Sequence, residues 1–234
     1  MKLLTIGDQN TKLGKSDAKG TKYLSAGVSL APWKTSGIGN VCPSATVGCR
    51  AVCLTFSGRG QMGVVQKARA NKTKFFFKER ETFIEQLKKE ITSFNVKCKK
   101  LGNRAAVRLN LLSDLDWVKL APGLMEEFSD VQFYDYTKVW HRALRFIRGE
   151  LPKNYHITLS RSELNDYNCK TFLNLGGNVA AVFRDELPKT WFNHRVVGGD
   201  ESDLRFLNRK ATVIGLLAKG SLARNDESGF VIDL

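Results

Sequence analysis

Ala105-Ala-Val-Arg-Leu109, Val131-Gln-Phe-Tyr134, Tyr155-His-Ile-Thr-Leu159 and Asn178-Val-Ala-Ala-Val-Phe183 are short apolar runs. Their centres, Val107, Phe133, Ile157 and Val182, lie 26, 24 and 25 residues apart. Runs of this length, rich in β-branched and aromatic residues, read as strands. Helical patterns fall between them, over about 120–128, 139–148 and 165–175. Strands separated by a helix are joined by right-handed crossovers and lie parallel. Two further runs fit the series: Ala211–Leu217 downstream, and Tyr23–Leu30 upstream, where Leu24, Ala26, Val28 and Leu30 share one side. Leucine-rich repeats have a similar period, but the Leu-x-x-Leu-x-Leu signature does not recur here. The expectation is an α/β fold: a partial TIM-like (β/α) barrel of about six parallel strands, with an open doubly wound sheet as the alternative.

Upstream of Ala105 the pattern differs. Residues 1–22 read as a polar arm or a loosely attached strand. Helices are expected from about Met62 to Lys74 and from about Lys78 to Lys100. The second carries Phe83, Leu87, Ile91, Phe94 and Cys98 at helical spacing, which makes an amphipathic stripe. The 234 residues, 42% hydrophobic, suffice for one barrel-like domain over 1–234. Within it, residues 1–104 form a basic segment with a cysteine motif and a helical pair, and residues 105–234 carry the repeated strand–helix units.

Charge divides the chain at the same place. Residues 1–104 hold 20 Lys/Arg against 6 Asp/Glu, whereas residues 105–234 hold 17 of each, so the net charge of +14 sits in the first part. A basic surface there attracts nucleic acid, nucleotides or another polyanion. No apolar run approaches a membrane span, and Met1–Asp8 turns polar too soon for a signal peptide. Five cysteines, an odd and sparse set, argue against a disulfide framework. The expected location is the cytoplasm, with the thiols reduced.

Three of those cysteines fall in Cys42-Pro-Ser-Ala-Thr-Val-Gly-Cys49-Arg-Ala-Val-Cys53, spaced C-x6-C-x3-C. Cys49 and Cys53 would share a helical face, with Cys42 on the loop before them. Clustered thiolates select iron–sulfur centres, zinc or copper(I). A closed zinc site takes four ligands, whereas three thiolates suit a 4Fe-4S cluster with one open iron. The expected metal ligands are therefore Cys42, Cys49 and Cys53, holding a 4Fe-4S cluster or, alternatively, zinc. Cys98 and Cys169 read as core residues. His141, His156 and His194 form no metal-binding pair, and Ser57-Gly-Arg-Gly60 lacks the P-loop lysine.

Barrels place chemistry at the C-terminal ends of their strands. The predicted ends here carry Arg108, Asn110 and Asp114, then Asp135 and Lys138, then Ser160, then Arg184 and Asp185. Each taken singly can cap a helix or form a salt bridge. Together they are the expected substrate- or cofactor-binding set. Arg108, Asp135 and Arg184 also lie within or beside apolar runs, where a charge needs a partner.

The cysteine motif, Ser57-Gly-Arg-Gly60, Arg108-Leu-Asn110, Ser113-Asp114, Val131-Gln-Phe-Tyr-Asp-Tyr-Thr-Lys138, Val182-Phe-Arg-Asp185 and Gly199-Asp200-Glu201-x-Asp203-Leu-Arg-Phe206 resemble the phage gene product 88 family over nearly the whole chain. At the level of fold, three cysteines near the first strand of a partial parallel barrel are similar to the radical S-adenosylmethionine enzymes. Those carry C-x3-C-x2-C, where this chain has intervals of six and three. That similarity implies a cluster on the three cysteines and S-adenosylmethionine as a possible cofactor. The resulting expectation is a phage-type iron–sulfur enzyme acting on a nucleotide or nucleic acid. The alternative is a non-enzymatic nucleic-acid-binding accessory protein stapled by a metal.

Overall fold

Each of the apolar runs forms a strand in the computed structural model, which describes residues 1–7, 11–17 and 20–234. In chain order the strands are β1 (Leu4–Ile6), β2 (Tyr23–Val28), β3 (Arg104–Arg108), β4 (Gln132–Thr137), β5 (Tyr155–Ser160), β6 (Asn178–Phe183), β7 (Thr190–Trp191), β8 (His194–Gly198), β9 (Val213–Leu217) and β10 (Val231–Ile232). They make one mixed α/β architecture, a largely parallel ten-stranded sheet in the order β1-β2-β3-β4-β5-β6-β9-β8-β7, with β10 on β6. The neighbours from β2 through β9 to β8 all pair in parallel, as crossover helices require. The antiparallel pairs are at the two ends: β1 on β2, and β7 on β8. Part of the expected N-terminal arm is therefore β1 together with α1 (Thr11–Asp17); residues 8–10 and 18–19 lie outside the described residues.

The helices follow the alternation. After α2 (Val47–Ala51) come α3 (Gly63–Lys78) and α4 (Arg80–Lys100), then α5 (Trp117–Leu120), α6 (Leu124–Glu127), α7 (Trp140–Ile147), α8 (Asp166–Asn174) and α9 (Gly220–Arg224). The helix expected over 120–128 is two short ones, parted where Gly123 takes φ +79°. On α4 the stripe faces inward: Phe83, Leu87, Ile91 and Cys98 are fully buried. They join Val107, Phe133, Ile157 and Trp117 in the larger core cluster. Each such side chain contributes about 1.5–3 kcal/mol on burial. Cys169, Phe172 and Leu173 of α8 pack with Leu159, Val179 and Phe183 in a second cluster. Among the described residues no helix is long and apolar enough to cross a membrane.

The sheet's other face carries Ala106 and Tyr134, which pack with Leu204, Tyr23 and Phe206. The segment after β8 thus returns beneath β2–β4. Its Asp203 is fully buried, and its carboxylate accepts from Arg108 Nη1 (2.7 Å) and Tyr136 Oη (3.1 Å). The Arg108 guanidinium also lies 4.3 Å from the Tyr136 ring centroid. Replacing Asp203 by Asn leaves that guanidinium buried without its counter-charge. The expected cost is about 3–5 kcal/mol, read from the urea unfolding midpoint. The double variant Arg108→Met/Asp203→Leu should recover most of it. A single-variant cost within experimental error would refute this role for the pair.

Candidate functional site

At the C-terminal ends of the parallel strands the chain lines a half-open cavity of about 970 Å³. Cys42, Cys49 and Cys53 all line it, together with Arg108, Asn110, Asp114, Lys138 and Ser160. Most of the residues singled out by strand-end position therefore converge on the space that the cysteines border.

The cysteine segment is held from several sides. Leaving β2, the chain turns at Trp33, which takes φ +50°, a conformation unusual for a bulky residue. This turn aims the Trp33 N–H at Cys42 Sγ (3.2 Å), while the Cys42 thiol donates to the Leu112 carbonyl (3.3 Å). Thr46 caps α2, its hydroxyl accepting from the Cys49 N–H (3.2 Å). Glu163, beyond β5, accepts from the Thr46 hydroxyl (2.8 Å) and the Gly48 N–H (2.9 Å). A Cβ at position 48 would lie 2.2 Å from Ser228 Oγ and 2.7 Å from Phe230 Cβ, so only glycine lets α2 approach the turn before β10 this closely. Cys49 and Val52 pack there against Ala218, Ala223 and Phe230. Cys53 differs from the helical expectation. It stands past the end of α2, ahead of a 3₁₀ turn over Leu54–Phe56. The Gly-rich stretch forms a second 3₁₀ turn, Gly58–Gln61, and the Gly60 carbonyl accepts from Arg69.

Burial pushes the Cys42 thiol up to about 12, against the Trp33 N–H and aided by the neighbouring Cys53, Asp114 and Cys49. Burial raises Cys53 too, while Lys138 and Arg69 pull it down. The three sulfurs are thus within electrostatic reach of one another, and a metal binding there must displace protons. Among the described residues, no three His, Cys, Asp or Glu side chains gather closely enough to hold a single metal ion.

The other candidates divide. Asp114 is spoken for: it accepts from Arg142 Nη1 (2.7 Å), the Thr137 hydroxyl (2.7 Å) and the Lys138 N–H (2.8 Å). Asn110 shapes the turn after β3, its Oδ1 accepting from the Ser113 hydroxyl, the Leu115 N–H and Trp117 Nε1. Lys138 Nζ donates to Ser160 Oγ (2.9 Å) inside the cavity. Asp135, Arg184 and Asp185 do not line it. Arg184 pairs with Asp233 and donates to the Arg224 and Asp226 carbonyls, which pins the C-terminal segment, and Asp185 is exposed beside it. The strand-end set did not include Arg69, Tyr136, Asp203 and Phe230, all of them in the cavity wall. One signal for Arg69 was available: residues 18–78 hold ten Lys/Arg and no Asp/Glu.

Asp135 is buried beneath the Asn110 turn, accepting from the Asn110 N–H (2.7 Å), Asn110 Nδ2 (3.1 Å) and the Tyr155 hydroxyl (3.0 Å). Burial pushes it up to about 7, against the pull of Arg108 and those donated hydrogen bonds. The native state then holds a proton that the unfolded chain releases near pH 3.8, so this group's contribution to stability falls as pH rises from about 4 to about 7. Carboxyl ¹³C NMR should show Asp135 titrating near 7. A midpoint below 4 would mean that the hydrogen bonds outweigh burial.

No curated protein and no solved structure matches the chain. A family model described as gene product 88 matches residues 2–234, and the chain, carrying the cysteine loop and strand-end residues just described, belongs to the gene product 88 family.

Proposed function

We propose that this is a phage-type iron–sulfur protein, a radical S-adenosylmethionine-like enzyme acting on a nucleotide or nucleic acid. The observation that carries this reading is the convergence of Cys42, Cys49 and Cys53 on one cavity at the C-terminal ends of parallel strands. The donor set fits a 4Fe-4S cluster. The sulfurs face a common space, a backbone N–H is aimed at Cys42, and the cations Arg69 and Lys138 stand near Cys53. Zinc fits less well, since Zn–S bonds of about 2.3 Å draw ligand sulfurs into tight contact and no such gathering is present among the described residues. When bound, a cluster with one iron free of protein ligands supplies electron transfer and an open coordination position. Within the strand-end set Arg108, Asn110 and Asp114 are committed to neighbouring protein groups, which leaves Lys138 and Ser160 to meet substrate or S-adenosylmethionine.

A partial-barrel reading of the sheet belongs with this proposal. Four strands separate β3 from β8 in the sheet order, about 24 Å if it lay flat. Yet Asp203, five residues beyond β8, meets Arg108 at the end of β3. Curling of the sheet toward a barrel accounts for that contact.

Protein purified without oxygen should be coloured and contain about four iron and four sulfide per chain. Replacing Cys42, Cys49 or Cys53 by Ala should abolish this, whereas Cys98→Ala should not. A colourless, iron-free wild type after reconstitution would overturn the assignment.

The acid-free stretch 18–78 favours a second reading, a nucleic-acid-binding accessory protein whose cysteines hold a structural metal. Binding to a single strand should then weaken steeply with salt, with a log–log slope of about −0.7 per phosphate contacted. Charge reversal at the exposed Lys67 and Lys74 should flatten that slope. Unchanged binding by the reversed protein would count against this reading.

A further inference from the structure

We propose that Arg69 and Lys138 form a phosphate-binding pair in the cavity wall, beside Cys53. This rests on the reading of the cavity as a substrate site, and it names the chemical group by which the substrate is held.

Among the described residues three carboxylates line the cavity, and each is paired with a cation: Asp114 with Arg142, Asp200 with Lys219, and Asp203 with Arg108. The remaining cations of the wall are not equivalent. Arg50 lies over the Trp33 ring at 4.7 Å, Arg59 is exposed to solvent, and Lys72 is drawn to Glu90. Arg69 and Lys138 are half-buried and, among the described residues, have no carboxylate partner.

Both have donors to spare. Arg69, on α3, is oriented by neutral acceptors only: Nε to Ser29 Oγ (3.0 Å), and Nη1 to Thr55 Oγ1 (3.1 Å) and the Gly60 carbonyl (3.3 Å). Its Nη2 makes no hydrogen bond among the described residues, although a guanidinium offers five N–H groups. Lys138, just past β4, spends one of three ammonium donors on Ser160 and lies 5.3 Å from the Phe230 ring centroid. The two side chains reach the cavity from different elements, and both act electrostatically on Cys53.

Two half-buried cations with free donors and, among the described residues, no carboxylate partner call for an anion of matching charge. A phosphate monoester carries about −1.5 to −2 near neutral pH and offers three acceptor oxygens. A carboxylate supplies only one charge. Arg and Lys are the side chains that hold phosphate, the first as a planar fork and the second as a point charge. The phosphate can belong to a free nucleotide or to a nucleic-acid strand.

Calorimetric titration of metal-free protein distinguishes these. The probes are inorganic phosphate, adenosine 5′-monophosphate, adenosine, and a short single-stranded oligonucleotide. Phosphate and the monophosphate should bind saturably, and adenosine should not. Arg69→Gln and Lys138→Met should each weaken binding about tenfold or more, while Lys219→Met, whose cation is already paired, should not. Arg69→Lys, which keeps the charge, should retain part of the affinity if Arg69→Gln loosens the 55–60 turn. Tighter binding of the monophosphate than of the oligonucleotide assigns the phosphate to a nucleotide, and the reverse assigns it to a strand. No binding of any phosphate probe to wild type, or wild-type affinity in both Arg69→Gln and Lys138→Met, would overturn the proposal. The titration needs no metal, so its outcome is separate from that of the iron analysis.

Discussion

A guanidinium carried by β3 is neutralised by a carboxylate that follows β8, at the opposite end of the parallel series. Such a buried pair is costly to desolvate and costlier still to break, so it sets where the intervening chain runs. To deliver Asp203, the segment after β8 must pass across the sheet face that the helices leave open. There Leu204 and Phe206 fill the space against Tyr23, Ala106 and Tyr134. The cavity occupies the remaining volume toward the strand ends, and Arg108, Tyr136 and Asp203 are part of its wall. Floor and chamber are therefore products of the same ion pair.

The cysteine loop depends on groups that never reach the cavity centre. Glu163 and Thr46 satisfy the amides at the start of α2, where a short helix would otherwise leave them unpaired. The Asp114 N–H donates to the Val41 carbonyl (2.8 Å), tying the cysteine loop to the turn after β3. That turn is in turn braced by Asn110 and Asp135. Carboxylates at strand ends thus serve mainly as braces, and Arg69 and Lys138, left without such duty, face the cavity.

Much of this was legible in the residues. The interval of about 25 between Val107, Phe133, Ile157 and Val182 reports strand, helix and return, and the strands are there and parallel. Buried charges proved a sound guide to partnership: Arg108 and Arg184 each found a carboxylate, and Asp135 found hydrogen-bond donors. They were a weaker guide to the cavity, because a charge at a strand end does not say which face it takes. Asp135 lies on the helix-covered side, one residue from Tyr136, which lines the cavity. Strands β7 and β10 have two residues each, too few for any alternation to register. His194-Arg-Val-Val-Gly198 is half polar because much of β8 is exposed. Arg69 lay on a helix whose cations all look alike in sequence; only tertiary contact with Ser29 and Thr55 singles it out.

The pairing of β10 with the end of β6 bears on how the site is assembled. Phe230 stands against Cys49 and Val52, nearly 180 positions earlier in the chain. Contacts of such long sequence separation form late, because the intervening loop must close first. The contact of the cysteine segment with this cluster thus waits on the strands between them. The cavity wall beside Cys49 is therefore completed only when β10 docks on β6, after the cysteine segment itself can form.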